Sequence, residues 1–170
     1  MEGKITIGNV CFILNEETQK ILLLKRNRDP MKGLITGVGG KTNFIEDIPH
    51  SCIREIKEET GIEVEKIILK GIVKTLLHGE NSSWIIFVYV AKISAEDFIE
   101  CAEGKLFWVD KDKIFEEDLI GFIKKILPYV LDENKFIEAI ILHDMHGNVL
   151  SDNMTIHNML LYGSSLYTIK

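Results

Sequence analysis

Apolar positions in this chain fall in short blocks whose spacing alternates between strand-like and helix-like. Ile5 to Leu14 is rich in β-branched and apolar residues and predicts a strand. The polar run Asn15-Glu16-Glu17-Thr18 predicts a turn, and Ile21 to Leu24 a second strand completing a hairpin. Asp47 to Thr60 carries helix signals: Asp47 as N-cap, Pro49 in the first turn and Gly61 just past the end. Ile53 and Ile56, with Cys52 close by, are its expected core side. Val64 to Thr75 and Trp84 to Ile93 predict two more strands joined by the polar turn 78–83. Leu106 to Val109 is a short apolar run. Glu116 to Leu127 predicts an amphipathic helix, acidic at its start, with Lys124 and Lys125 near its end and Pro128 just beyond. Phe136 to Leu142, a His-Gly-Asn turn and Val149 onward predict a final surface hairpin carrying His143, His146 and His157, whose spacing fits no zinc pattern. Strands and helices interleave without a regular βαβ rhythm. The expectation is an α/β fold with helices packed on a mixed sheet.

Composition narrows the class. The chain has 170 residues, 46% hydrophobic and 27% charged, enough for one domain with a sizeable core. The net charge of −6 excludes a dedicated duplex nucleic-acid binder but leaves open a nucleotide ligand brought in by a cation. Apolar stretches such as Trp84 to Ala91 are far too short to span a bilayer, so no membrane association is expected. No export signal stands out in the first residues. Cys11, Cys52 and Cys101 match no disulfide or zinc framework, and the expected setting is the reducing cytoplasm. Nothing in the pattern chooses between a monomer and a homodimer.

The chemistry concentrates between Gly33 and Ile62. Gly33, Gly37, Gly39 and Gly40 make a loop dense enough in glycine for backbone to approach a ligand closely. Beyond it, Glu55, Glu58 and Glu59 fall within about 100° of arc on one helix face. Three like charges this close repel, and a divalent cation turns that cost into a ligand set. Hard cations such as Mg²⁺ prefer oxygen ligands and share them with phosphates. The competing reading of the carboxylates alone is a solvated acidic helix face.

Gly40, Glu46, Arg54, Glu55, Ile56, Glu58, Glu59, Gly61 and Ile62 stand at the spacing of the Nudix box, which this stretch resembles. By average residue usage a chance match in a chain this long is on the order of one in ten million. Ile21 to Arg26 and Thr36 to Lys41 resemble the approach to the box in MutT-type enzymes, closest to the 8-oxo-dGTP diphosphatase branch. Leu106 to Val109, with Lys113 and Ile114, resembles that branch's late strand.

The resemblance implies a Nudix fold, an α/β/α sandwich with a mixed sheet, over residues 1–158, and an extension of unknown role over 159–170. It implies hydrolysis of a nucleoside diphosphate linked to another moiety, with Mg²⁺ or Mn²⁺ as cofactor. Here the expected reaction takes a nucleoside triphosphate, oxidised nucleotides among the candidates, to monophosphate and pyrophosphate. The alternatives are a nucleoside diphosphate sugar or similar conjugate as substrate, or a Nudix-fold binding module without turnover. The implied metal set is Glu55, Glu58 and Glu59 with the Gly39 carbonyl, and Glu103 as a further ligand, with Glu100 competing on the same loop. Glu55 or Glu58 would serve as catalytic base. Arg26 and Lys41 would offset phosphate charge, and Thr36 occupies the base-reading position. Gly40, Glu46, Arg54 and Gly61 would support the motif's shape. The branch that reads oxidised purines has an Asn at position 36 and acidic residues at the positions of Phe122 and Ile123. Phe44 and Phe122 are candidates to stack on a base, with core packing as the ordinary role of Phe122.

Overall fold

The computed structural model describes residues 3–94 and 96–159. Eight strands form one mixed sheet: β1 (Lys4–Asn15), β2 (Lys20–Arg26), β3 (Ile35–Thr36), β4 (Ile67–Leu77), β5 (Ser82–Ile93), β6 (Gly104–Asp110), β7 (Lys135–His143) and β8 (Val149–Asn158). The order across the sheet is β3-β2-β1-β5-β4-β7-β8, with β6 also paired to β2. The β1–β5 and β4–β7 pairs are parallel and the others antiparallel. Two helices, α1 (Ile48–Thr60) and α2 (Gly121–Val130), complete the fold.

Central strands read as unbroken apolar runs because both of their faces are covered. One face of β1, through Cys11 and Ile13, packs with Cys52 and Ile56 of α1. The other, through Val10, Phe12 and Leu14, joins the cluster that includes Phe122, Ile123, Ile126 and Leu127 of α2. The N-terminus of α1 is set by Asp47, whose carboxylate accepts from the His50 amide at 2.9 Å. Its end is set by Gly61 at φ 72°, whose amide bonds the Lys57 carbonyl. The buried face of α1 is Ser51, Cys52, Ile56, Glu59 and Thr60, while Ile53 is only half-buried.

The second helix departs from expectation. It begins at Gly121 rather than Glu116, and Pro128 lies inside it. Lys111–Glu116 instead forms a 3-10 turn. The next residues are recruited by the sheet: the Ile35 amide bonds the Asp118 carbonyl, and the Ile120 amide bonds the Ile35 carbonyl, both at 2.9 Å. Those bonds hold 118–120 extended, so the helix cannot start earlier. Pro128 sits on the exposed face of α2, where water is available to the carbonyl its ring leaves unpaired.

Two smaller differences follow from tertiary contacts. Strand β4 starts at Ile67, where pairing with Ala91 begins, not at Val64. His143 is buried, with its ring 6.4 Å from Phe122, whereas His146 and His157 are exposed as a surface hairpin requires. The extension over 159–170 lies, beyond Met159, outside the described residues. No described helix is long and apolar enough to cross a membrane.

Gly61 is the position where the αL cap most needs glycine. An alanine there is strained at φ 72°, and its Cβ comes 3.1 Å from Ile99. Gly61→Ala is expected to cost about 1 kcal/mol or more and to lower Tm by roughly 2–4 °C. Thermal unfolding followed by circular dichroism measures it, and an unchanged Tm would refute the capping role.

Candidate active site

The glycine-rich loop reaches α1 because it is laced to β1 along its length. Cys11 and Val38 exchange two backbone hydrogen bonds, at 2.7 and 3.1 Å, and the Asn9 amide bonds the Gly40 carbonyl at 2.9 Å. This approach leaves no room for side chains. A Cβ on Gly39, at φ 148°, would lie 2.3 Å from the Asn9 carbonyl oxygen. A Cβ on Gly40 would lie 2.6 Å from the Glu55 carboxylate. The loop therefore presses bare backbone against the acidic face of α1.

Glu59 sits deepest in this contact, 5% exposed. Its Oε2 accepts from the Gly39 amide at 2.8 Å, while its Oε1 is buried without a hydrogen-bond partner. Burial drives the Glu59 pKa up to about 8, the Gly39 amide opposes the rise, and the charges of Glu55 and Glu103 add to it. The Glu55 carboxyl is likewise raised, first by burial, against the pull of Arg54 and with the repulsion of Glu58 and Glu103.

Arg54 ties the remaining carboxylates together. Its Nε and Nη2 donate to the two oxygens of Glu46 at 2.9 and 3.1 Å, and its Nη1 donates to Glu55 at 3.0 Å and Glu58 at 2.9 Å. The guanidinium holds the Glu46 carboxyl below its ordinary range, and Glu46 in turn raises Arg54. Arg54 Nη2 also donates to the Lys41 carbonyl at 3.2 Å, closing the loop onto the helix.

Glu103 lies in the loop before β6. Asn27 fixes that loop, its amide bonding the Glu103 carbonyl at 3.1 Å and its side chain the Ala102 carbonyl at 3.0 Å. The Glu103 charge acts on both Glu55 and Glu59. In this arrangement the Glu103 carboxylate pairs with Arg28 at 3.4 Å.

The structure thus gathers Gly39, Gly40, Glu46, Arg54, Glu55, Glu58 and Glu59, with Glu103 at the border. Arg26 is near enough for its charge to act on Glu59, while its Nε donates to the Pro30 carbonyl at 3.2 Å. Lys41 is not gathered: its ammonium lies 5.6 Å from the Trp84 ring centroid. Thr36 lies in β3, half-buried, opposite Leu24. Phe122 and Ile123 are buried in the α2 core, and Phe44 is fully exposed.

Asn9, Ser51, Asn27 and Arg28 are contributors that escape the sequence pattern. Asn9 Nδ2 donates to Ser51 Oγ at 3.1 Å, and Ser51 Oγ donates to the Lys41 carbonyl at 3.4 Å. Arg28 holds Glu103. Only proximity across 42 and 75 residues of chain reveals them.

A divalent cation fits these residues. The orphaned, buried Glu59 Oε1 is an oxygen donor awaiting a positive partner, and bare glycine backbone lies beside it. No ready-made group of three acidic or imidazole ligands stands among the described residues, because Arg54 draws Glu55 and Glu58 to itself.

An α/β sandwich with a glycine loop pressed on an acidic helix defines the class, and residues 5–130 match the NUDIX domain family: this chain belongs to it. The Bacillus subtilis Nudix hydrolase YvcI is 36% identical over 108 residues, 61% of this chain and 65% of its own length. The chain thus matches just under two thirds of that relative. An oxidized purine nucleoside triphosphate hydrolase of Danio rerio is 26% identical over 133 residues, 75% of this chain and 82% of its own. A solved MutT protein from Bacillus halodurans superposes with TM-score 0.77 at 27% identity, covering 88% of this chain and 97% of that one.

The raised Glu59 carboxyl makes a pH prediction for the metal-free protein. Folded Glu59 binds its proton more tightly than unfolded Glu59. The stability this confers is full below the ordinary carboxylate value of 4.5 and is lost as pH rises through about 8. In chelated buffer at pH 9, Glu59→Gln is therefore expected to raise Tm by about 4 °C or more over the parent, and to lose that advantage near pH 4. Melting curves of both proteins across pH test it. Parallel curves would show that burial of this carboxylate costs nothing.

Proposed function

We propose that the chain is a divalent-cation-dependent pyrophosphohydrolase of the MutT type, converting nucleoside triphosphates to monophosphate and pyrophosphate. The observation that carries this reading is the buried Glu59 carboxylate, half-satisfied by Gly39 and facing Glu55 on the same helix. Glu55, Glu58, Glu59 and the Gly39 carbonyl would hold Mg²⁺ or Mn²⁺, with Glu103 as a further ligand. The bound cation would neutralise the phosphates and lower the pKa of the attacking water.

The chain's own residues supply the rest. Glu55 or Glu58 would orient the attacking water and take its proton as the water oxygen bonds to phosphorus and the phosphorus–oxygen bond to the leaving group breaks. Arg26 offsets charge on the phosphates from the edge of β2. Arg54 and Glu46 are positioning residues, fixing loop to helix. The name of the Danio rerio relative supports a nucleoside triphosphate as substrate.

Pyrophosphate release is expected to require Mg²⁺ or Mn²⁺ and to vanish with EDTA. Glu58→Gln should lower kcat by about a thousandfold or more in a folded protein, because it removes a charge and keeps the shape. Glu46→Gln should act through stability and loop placement. A panel of nucleoside triphosphates and nucleoside diphosphate sugars, assayed with Mg²⁺, tests the substrate class. Turnover confined to the sugars would replace the triphosphate reading, and no turnover at all would leave a binding module.

Tight readout of an oxidised base needs buried polar groups that the wrong base leaves unpaired. Phe122 and Ile123 are apolar and buried, and Thr36 offers one short hydroxyl. The preference for 8-oxo-dGTP over dGTP is therefore expected to be about tenfold or less, roughly 1.4 kcal/mol. Measuring kcat/KM for both under identical Mg²⁺ decides it. A thousandfold preference would mean that other groups read the base.

A further inference from the structure

The sheet carries one apolar face that no described element covers. Ile5 and Ile7 share the α1 side of β1 with Cys11, and Asn9, bonded to Ser51, marks where the helix stops covering the strand. Register extends this face across five strands. Ile7 lies opposite Ile85, Ile85 opposite Lys74, Lys74 opposite Ile140 and Ile140 opposite Asn153. One row along, Ile5, Ser83, Leu76, Leu142 and Ser151 align in the same way. On the other side, Ile72, Glu138 and Thr155 make a third row, which ends at Phe87 where the α1 cluster begins. Ile5, Ile7 and Ile140 are 57%, 42% and 43% exposed.

We infer that this face is the self-association surface of the chain, occupied by the same face of a second copy. Size is the first argument. Four inter-strand steps of about 4.8 Å and two row steps of about 6.8 Å span roughly 19 by 14 Å. Adding half of the ~10 Å sheet-to-sheet spacing at each border gives about 700 Å², close to the ~800 Å² per partner of a standard interface. Charge is the second. Lys74 is half-buried in the middle of the apolar rows and has no ion pair among the described residues. Glu138 stands one strand and one row away, exposed, its Oε2 engaged by His157 and its Oε1 without a partner among the described residues. A two-fold axis lying between the packed faces and passing between these residues sets each Lys74 against the second copy's Glu138. Such an interface is isologous and closes at two copies. The loop holding Phe44 and Ile45, 103% and 95% exposed, begins at the same end of β1, through the bond from the Thr42 amide to the Ile7 carbonyl at 3.0 Å.

Sedimentation of the full chain from about 1 to about 100 µM tests the inference, with circular dichroism as the folding control. A concentration-dependent dimer is expected. Ile140→Asp or Lys74→Glu should weaken it by at least about tenfold in Kd without loss of fold, and the exchange Lys74→Glu with Glu138→Lys should restore it. A monomer at every concentration overturns the inference. So does a dimer that survives Ile140→Asp, or an exchange that fails to restore association. If the full chain is monomeric and only a chain ending at Met159 dimerises, residues 160–170 occupy the face instead and the second-copy assignment is wrong. The readout is mass, so the outcome is independent of any hydrolytic activity.

Discussion

The site depends on one cation placed among carboxylates that would otherwise repel. Among the described residues Arg54 is the only charged donor reaching Glu46, Glu55 and Glu58 together, and it also clamps the Lys41 carbonyl. Through Glu46 and Lys41 it fixes the loop, and through Glu55 and Glu58 it fixes the helix. The packing of Gly39 and Gly40 against α1 rests on that bridge. Arg54 does not reach Glu59, which is left to a backbone amide and to burial. The arrangement holds electrostatic stress at the place where a divalent cation would relieve it.

The scaffold makes this stress tolerable. The loop strand is hydrogen-bonded to β1, and β1 is packed on both faces, so the glycine backbone cannot retreat from the helix. On the helix side, Cys52 and Ile56 anchor α1 into the same sheet that holds the loop. Loop and helix are thus two attachments to one rigid object, which is how a functional constellation keeps its geometry. The same economy of covering elements has a consequence elsewhere. The α1 cluster takes in Ile13, Leu22, Ile67 and Tyr89 but leaves one end of that sheet side uncovered by any described element, and there Ile7, Ile85, Lys74 and Ile140 align across β1, β5, β4 and β7.

The box motif, its helix and the central strands were legible in the sequence because each depends on near neighbours in the chain. Asp47 and Gly61 cap α1 through bonds spanning three and four residues, and the carboxylates share a face by helical geometry alone. The acidic face and the glycine loop needed no more than spacing, and the support pair of Glu46 and Arg54 came from the resemblance to the box. The α2 boundary was not legible, since Asp118 and Ile120 are held extended by Ile35, more than eighty residues earlier. Nor was the fate of Lys41, whose side chain is drawn to Trp84 on another strand.

Sequence by itself therefore determined which residues carry charge on one helix face, where that helix starts and stops, and where backbone must be bare. Those are consequences of local geometry and of side-chain size. Tertiary structure alone decided how deeply each carboxylate is buried. Glu55, Glu58 and Glu59 are the same residue type within five positions, yet only Glu59 is closed off from water, because Gly39 is carried over it by β1. It also decided that Glu103 reaches the site through Asn27, that Asn9 and Ser51 brace the loop, and that Ile7, Ile85 and Ile140 line up. Burial and register are properties of pairings between distant segments, and no local pattern encodes them.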